Sequence, residues 1–282
     1  MRLFTTIALE IGAQCNRKCW FCPNATNKRP DEMMDPALLK KVSEELAFLK
    51  YSGRIVLYIY NEPFKNPHLI DIIAMFRKEV PRSTIMVATN ADYVREYGQL
   101  QSLFDSGLNQ LQINIYTNMQ RYRELVALMK QVDAEEGNIY SNTSPKKRFF
   151  AIEQKFDRKI TPESPKVGRF ELSNRSGNVP SLPVVEEPLP KMCVRPFRSM
   201  QVNWKGEVIL CCNDYHADVL CGDVTAESVD SVWYNSKILR KFRKKLLRKN
   251  RTKLKLCKSC SFKGGAYPHF VPKLWQELMP KK

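Results

Sequence analysis

Strand and helix alternate from residue 6 to residue 132, and that order restricts the chain more than any other feature it has. TIALEIG (6–12) reads as a strand, and DPALLKKVSEELAFL (35–49) as a helix with Asp35 as its cap and Pro36 in its first turn. RIVLYIY (54–60), STIMVATN (83–90) and QLQINIY (110–116) are further strands; NPHLIDIIAMFRKEV (66–80), EYGQLQSLFDSG (96–107) and RYRELVALMKQV (121–132) are helices, the first of these starting again on a cap followed by proline. Short links between alternating elements imply parallel pairing through right-handed crossovers, hence an α/β fold, either a doubly wound sheet or a barrel. No GxGxxG follows the first strand, so a dinucleotide-binding site has no support. With 282 residues, 43% of them hydrophobic, the chain can bury a full core. It has no apolar run near the roughly 18 residues of a membrane span and no signal-peptide pattern at its start.

From about Gly137 to Met192 the pattern loosens. SNTSPKK (141–147) and PSLPVVEEPLP (180–190) are turn- and proline-rich, with strand candidates RFFAIEQ (148–154) and RFELSNR (169–175) between them. A domain boundary is expected near Leu189–Pro190, giving units of 1–190 and 191–282. In the second unit RSMQVNWKGEVILCC (198–212) reads as a hairpin turning at Gly206, and SVDSVWYNSKILRKFRKKLLRK (228–249) as one helix leading to CKSC (257–260).

The cysteines are nine, an odd number, and they come in groups. That usage suits a reducing compartment, the cytoplasm, with thiols that hold metal or do chemistry. Cys15, Cys19 and Cys22 follow C-x3-C-x2-C in QCNRKCWFCPN, with the aromatic Phe21 directly before the third. Three thiolates on one loop can ligate three irons of a cubane cluster and leave the fourth iron open, whereas a structural zinc normally takes four protein ligands as two separated pairs. Cys193, Cys211, Cys257 and Cys260 form the other group, and four thiolates satisfy a tetrahedral zinc or a complete iron–sulfur cluster equally well. Cys212 adjoins Cys211, and Cys221 in LCGDV has no assigned partner.

The first loop, placed after the first strand of an α/β run, resembles the radical S-adenosylmethionine (SAM) superfamily. The resemblance extends over residues 1–190. YNEP (60–63) stands at the end of the second strand where that family commonly has GGEP, and ATNA (88–91) where it has a segment beside the SAM ribose. It implies a partial (β/α)6, TIM-like barrel and a [4Fe–4S] cluster whose open iron chelates SAM. It also implies SAM contacts from Tyr60, Asn61, Glu62, Asn90 and Phe21, with Glu62 meeting the methionyl amine. Two positions depart from the pattern: Asn61 and Ala91 each replace a common glycine. The later pattern C-x12-G-x4-C followed by C-x2-C is similar to the twitch domain, the short form of the SPASM extension, which holds one auxiliary [4Fe–4S] cluster. Within that neighbourhood lie dehydrogenases of aminocyclitols and epimerases of antibiotic sugars.

The resemblance therefore implies a 5′-deoxyadenosyl radical that abstracts hydrogen from an alcohol-bearing carbon, with the auxiliary cluster taking the second electron and a ketone as product. Arg175, in LSNRSGN, matches an arginine near the substrate alcohol. A redox-neutral epimerase is the alternative, with Cys221 or Cys212 returning hydrogen from the opposite face. Maturation of a ribosomal peptide is a third reading, lowered by the fourteen residues before Cys15, too few for a leader-binding domain. A zinc-ribbon nucleic-acid binder is a fourth, and it leaves the first cysteine loop unexplained. The net charge is +17, and Lys237 to Lys258 carries twelve Lys or Arg without one acid. Such a block is a solvated helix face or a dock for an acidic partner, here a flavodoxin or ferredoxin reductant. His68, His216 and His269 form no spaced metal set.

Overall fold

The computed structural model describes residues 3–116, 119–132, 134–136, 148–154, 166–167 and 170–264; the 140–147 loop and His269 lie outside them. The expected alternation is present as β1 (Thr6–Leu9), α1 (Pro36–Phe48), β2 (Arg54–Val56), α2 (Leu69–Glu79), β3 (Thr84–Thr89), α3 (Tyr97–Asp105), β4 (Gln110–Ile115) and α4 (Met119–Met129). β5 (Glu135–Glu136) and β6 (Phe149–Gln154) follow, then a two-stranded antiparallel pair, β7 (Lys166–Val167) and β8 (Phe170–Glu171). The second unit consists of α5 (Arg195–Arg198), β9 (Ser199–Val202), β10 (Glu207–Ile209), β11 (Leu220–Asp223), α6 (Val229–Asn235), α7 (Lys237–Leu247) and α8 (Lys255–Lys258).

Nine strands form one open sheet in the order β11-β10-β9-β1-β2-β3-β4-β6-β5. From β9 across to β5 every pairing is parallel; β10 and β11 add antiparallel strands at the other edge. The fold is thus α/β with an unclosed parallel sheet, as a partial barrel requires. A parallel sheet covered on both faces reads as continuous apolar runs, and all six residues of β3 are buried. The sheet crosses the Leu189–Pro190 boundary, because Thr6 to Leu9 of β1 pair with Ser199 to Val202 of β9.

Local chemistry explains the element starts. The Asp35 carboxylate accepts from Ala37 N at 2.7 Å and caps α1. α2 begins at Leu69 rather than on the Asn66–Pro67 cap the sequence predicts. The Asn66 side chain is used otherwise: its carbonyl accepts from His68 N at 2.9 Å, and its amide donates to Ile11 O at 2.8 Å. The long helix expected over 228–249 is two helices, because Ser236 leaves helical geometry and its hydroxyl accepts from Leu239 N at 3.1 Å to start α7. Among the described residues of RFELSNR, Phe170–Glu171 are strand; beyond them the Asn174 side chain accepts from Ser176 N and rounds a turn.

The second unit is clamped to the first. Gly206 turns the β9–β10 hairpin at φ +92°, where a Cβ would come within 2.7 Å of Thr225 and 2.9 Å of Leu38. Lys41 of α1 donates to the carbonyls of Val224 and Glu227, both at 2.8 Å, and Glu45 accepts from Val229 N at 2.8 Å. Trp233 packs edge-on against Phe4.

Candidate active site

Loops leaving the C-terminal ends of β1 to β4 enclose a cavity of about 380 Å³, the end of such a sheet where catalytic groups collect. Cys15, Cys19 and Cys22 line it together with Phe21, Tyr60, Asn61, Glu62, Asn90, Tyr116 and Arg175. All the residues expected around SAM are therefore in one wall. The cysteine loop is tied down by its neighbours: Arg17 Nε reaches Asp92 at 2.7 Å and Asn16 donates to the same carboxylate at 2.6 Å. Burial alone would raise the Asp92 carboxyl, yet the two bonds from Arg17 hold it below its ordinary range. Cys22 N closes a turn onto Cys19 O at 2.9 Å.

Glu62 is buried at 3% exposure, and its carboxylate accepts from the Thr89 hydroxyl at 2.6 Å, Asn90 N at 2.9 Å and Phe64 N at 3.2 Å. Burial raises its pKa, and the donors from β3 and its end oppose that rise. Asn90 donates to Asn16 at 2.8 Å, and its side-chain carbonyl accepts from Asp92 N. Ala91 holds φ +61°, the left-handed conformation that glycine adopts without strain and that costs an alanine about 1 kcal/mol. Asn61 accepts from Ile59 N at 3.1 Å while its amide nitrogen, buried, has no protein acceptor.

The three thiols are free, and each is raised by burial first; Cys19 is pushed up to about 11, with Cys22 and Cys15 adding to the rise. Gathered, half-buried thiols that resist ionisation are a donor set that a cationic iron–sulfide core relieves. The orphaned Asn61 amide offers a hydrogen bond to a polar ligand in the same cavity. The residues fit both groups.

Cys193, Cys211, Cys257 and Cys260 enclose a second, small cavity with Arg195, Asn213 and Arg251. Burial raises three of these thiols, Cys257 to about 12, and the cysteines add to one another's rise. Asn213 donates its side-chain amide to Cys260 Sγ at 3.3 Å and its backbone N–H to Cys211 Sγ at 3.5 Å. Among the described residues, no three Cys, His, Asp or Glu side chains converge on a point that one ion could fill.

Arg175 joins the two cavities. Its guanidinium, in the wall of the larger one, donates to Asn213 Oδ1 at 3.3 Å. Burial would lower its pKa, but Tyr60, Cys212 and Cys22 more than offset that and it stays charged. Tyr60 hydrogen-bonds the Cys212 carbonyl beside it. The two spare cysteines part company. Cys212 lies half-buried next to this junction, whereas Cys221 sits in the hydrophobic core on β11, away from both cavities. Arg195, Asn213 and the Arg17–Asp92 tie escape sequence reasoning, since none stands in a recognisable spacing. His216 packs edge-on against Tyr215, and His68 pairs with Asp71 at the surface.

Comparison with known proteins follows the same division. The radical SAM superfamily profile matches residues 9–135, and the iron–sulfur cluster-binding domain profile matches residues 193–261. The chain is 28% identical over 262 residues to the S-adenosyl-L-methionine-dependent 2-deoxy-scyllo-inosamine dehydrogenase of Niallia circulans, covering 92% of this chain and 94% of that one. The crystal structure of BtrN in complex with AdoMet and 2-DOIA superposes with a TM-score of 0.73 at 27% identity, over 92% and 94% of the two chains. Native anSMEcpe with bound AdoMet shares the fold, with a TM-score of 0.54 at 10% identity over 84% and 82%.

Proposed function

The chain belongs to the radical SAM superfamily and carries an iron–sulfur cluster-binding extension, and from that premise we propose that it oxidises a secondary alcohol of a small, sugar- or aminocyclitol-like molecule to a ketone. Its cofactors are SAM and two iron–sulfur clusters. In this reading Cys15, Cys19 and Cys22 hold the SAM-binding cluster, and Cys193, Cys211, Cys257 and Cys260 the auxiliary one. Once bound, these groups would supply hydrogen-atom abstraction from the carbon and a sink for the remaining electron, with the hydroxyl proton passing to water.

The side chains have separable tasks. Glu62, immobilised by three donors, receives the ammonium of SAM, and Asn61 offers its unused amide to the same ligand. Asn90, in the wall of the same cavity, is the candidate for a ribose hydroxyl, and Phe21, tilted against Tyr116 with ring centroids 5.5 Å apart, lines the cavity beside it. Arg175 stays protonated, so it orients the substrate oxygen and stabilises developing alkoxide charge rather than removing the proton. The observation that supports the proposal is the short path from Arg175 through Asn213 to Cys260; an alcohol held by Arg175 would stand two side chains from the auxiliary cysteines.

Epimerisation with Cys221 as hydrogen donor loses support from that thiol's place in the core. We further propose that the exposed face of α7 receives an acidic flavodoxin or ferredoxin in the cytoplasm. No described helix is long and apolar enough to cross a membrane. Incubation with SAM, dithionite and 2-deoxy-scyllo-inosamine under anaerobic conditions in heavy water tests the reaction. The expected products are 5′-deoxyadenosine and a ketone, with Arg175→Ala losing 10²-fold or more in ketone formation, in the range of a lost oxyanion donor. Solvent deuterium at a recovered, inverted carbon sinks the dehydrogenase in favour of an epimerase.

A further inference from the structure

Two arginines beside the auxiliary cysteines have no part in the reaction above. Arg251 is 2% exposed and spends Nε and Nη1 on the carbonyls of Lys191 and Phe262, at 2.8 and 2.9 Å. The Arg195 guanidinium lies 3.7 Å from the centroid of the Phe262 ring. Both line the four-cysteine cavity, and each keeps one buried terminal nitrogen, Arg195 Nη1 and Arg251 Nη2, without a protein acceptor. A buried guanidinium with no carboxylate beside it is costly unless another anion balances it. The available anions are the four thiolates.

We propose that Arg195, supported by Arg251 and Asn213, poises the auxiliary cluster to accept the substrate's electron. The inference rests on the reading that these cysteines hold an iron–sulfur cluster. Such a cluster carries a net negative charge that grows by one on reduction. A dry cavity resists that added charge; fixed positive charge and N–H bonds to sulfur favour it, and these are the terms that set cluster potentials. Arg195 and Arg251 line one cavity with Cys193, Cys211, Cys257 and Cys260, and Asn213 donates to Cys260. No reacting atom touches Arg195, which makes it a positioning residue acting through the cluster.

The test is a reductive titration, followed by electron paramagnetic resonance, of the full chain with Cys15, Cys19 and Cys22 replaced by alanine, so that the auxiliary cluster gives the signal. Arg195→Gln keeps a planar, hydrogen-bonding side chain and removes the charge. Its reduction equilibrium is expected to move at least tenfold toward the oxidised state, which is 59 mV for a one-electron couple. Arg195→Lys, which retains charge, is expected to recover more than half of that shift. Asn213→Leu removes the donor to Cys260 without touching a charge and is expected to shift in the same direction. Parent-like potentials, or a shift the other way, in Arg195→Gln and Asn213→Leu, or in whichever of the two retains about four irons, overturn the proposal. An unmodified chain that binds no auxiliary cluster defeats the underlying reading instead; a cluster indifferent to Arg195 defeats only the inference.

Discussion

Asp214 stands three residues past Cys211 with its carboxylate fully buried, accepting from Asp218 N at 2.9 Å and Val219 N at 3.1 Å. Burial pushes its pKa up to about 6 from an ordinary 3.8, against those bonds. The folded chain therefore keeps a proton that the unfolded chain releases, and stability falls as pH rises from about 3.8 to about 6, by about 3 kcal/mol across the window. In Asp214→Asn this dependence disappears. Urea midpoints at pH 5 and pH 7 should show the parent losing about 1 kcal/mol relative to the variant. Parallel pH curves for the two proteins would refute the assignment. Other buried charges are structural in the same sense. Arg243 hydrogen-bonds the Pro196 and Trp233 carbonyls and stacks on the Trp233 ring, so two of the twelve basic residues in the 237–258 block, Arg243 and Arg251, are buried supports rather than surface charge.

Among the elements, α1 does most to fix the second unit. Lys41 satisfies two carbonyls at the end of β11 and the start of α6 from a single helical position, while Glu45 one turn on both pairs with Lys41 and caps α6. Lys41→Met leaves both carbonyls without a protein donor at a half-buried seam, a loss of about 1–2 kcal/mol, and the melting temperature should fall by several degrees while both clusters still load. An unchanged melting temperature would mean that water replaces the ammonium at no cost. Lys41 also shows where sequence reading stops. The alternation of strand and helix was legible because periodicity and the Asp35–Pro36 start are local signals, and the cysteine groups were legible because ligand spacing is local too. The partners of Lys41 lie more than 180 positions away, and those of Arg195 and Asn213 meet only after the sheet has formed. The break at Ser236 was missed because the apolar positions keep helical spacing on both sides of it.

For the whole molecule, the two cysteine sets should behave as separable centres. The parent protein, reconstituted anaerobically, is expected to hold about eight irons. Cys257→Ala with Cys260→Ala should hold about four and still split SAM on reduction, but release no ketone. Ketone formation at the parent rate by that double variant would remove the auxiliary centre from the reaction. In the proposed reading the substrate stands on Arg175 in the larger cavity, and Asn213 links that arginine to the cysteines of the smaller one.

The parallel pairing of β1 with β9 carries a consequence for biogenesis. β1 starts at Thr6, and one of its two sheet neighbours begins 193 positions later at Ser199. Long-range parallel pairing is slow to form because the intervening loop has to be closed first. The flank of the cysteine loop that rests on the β1–β9 pairing is therefore completed late in folding.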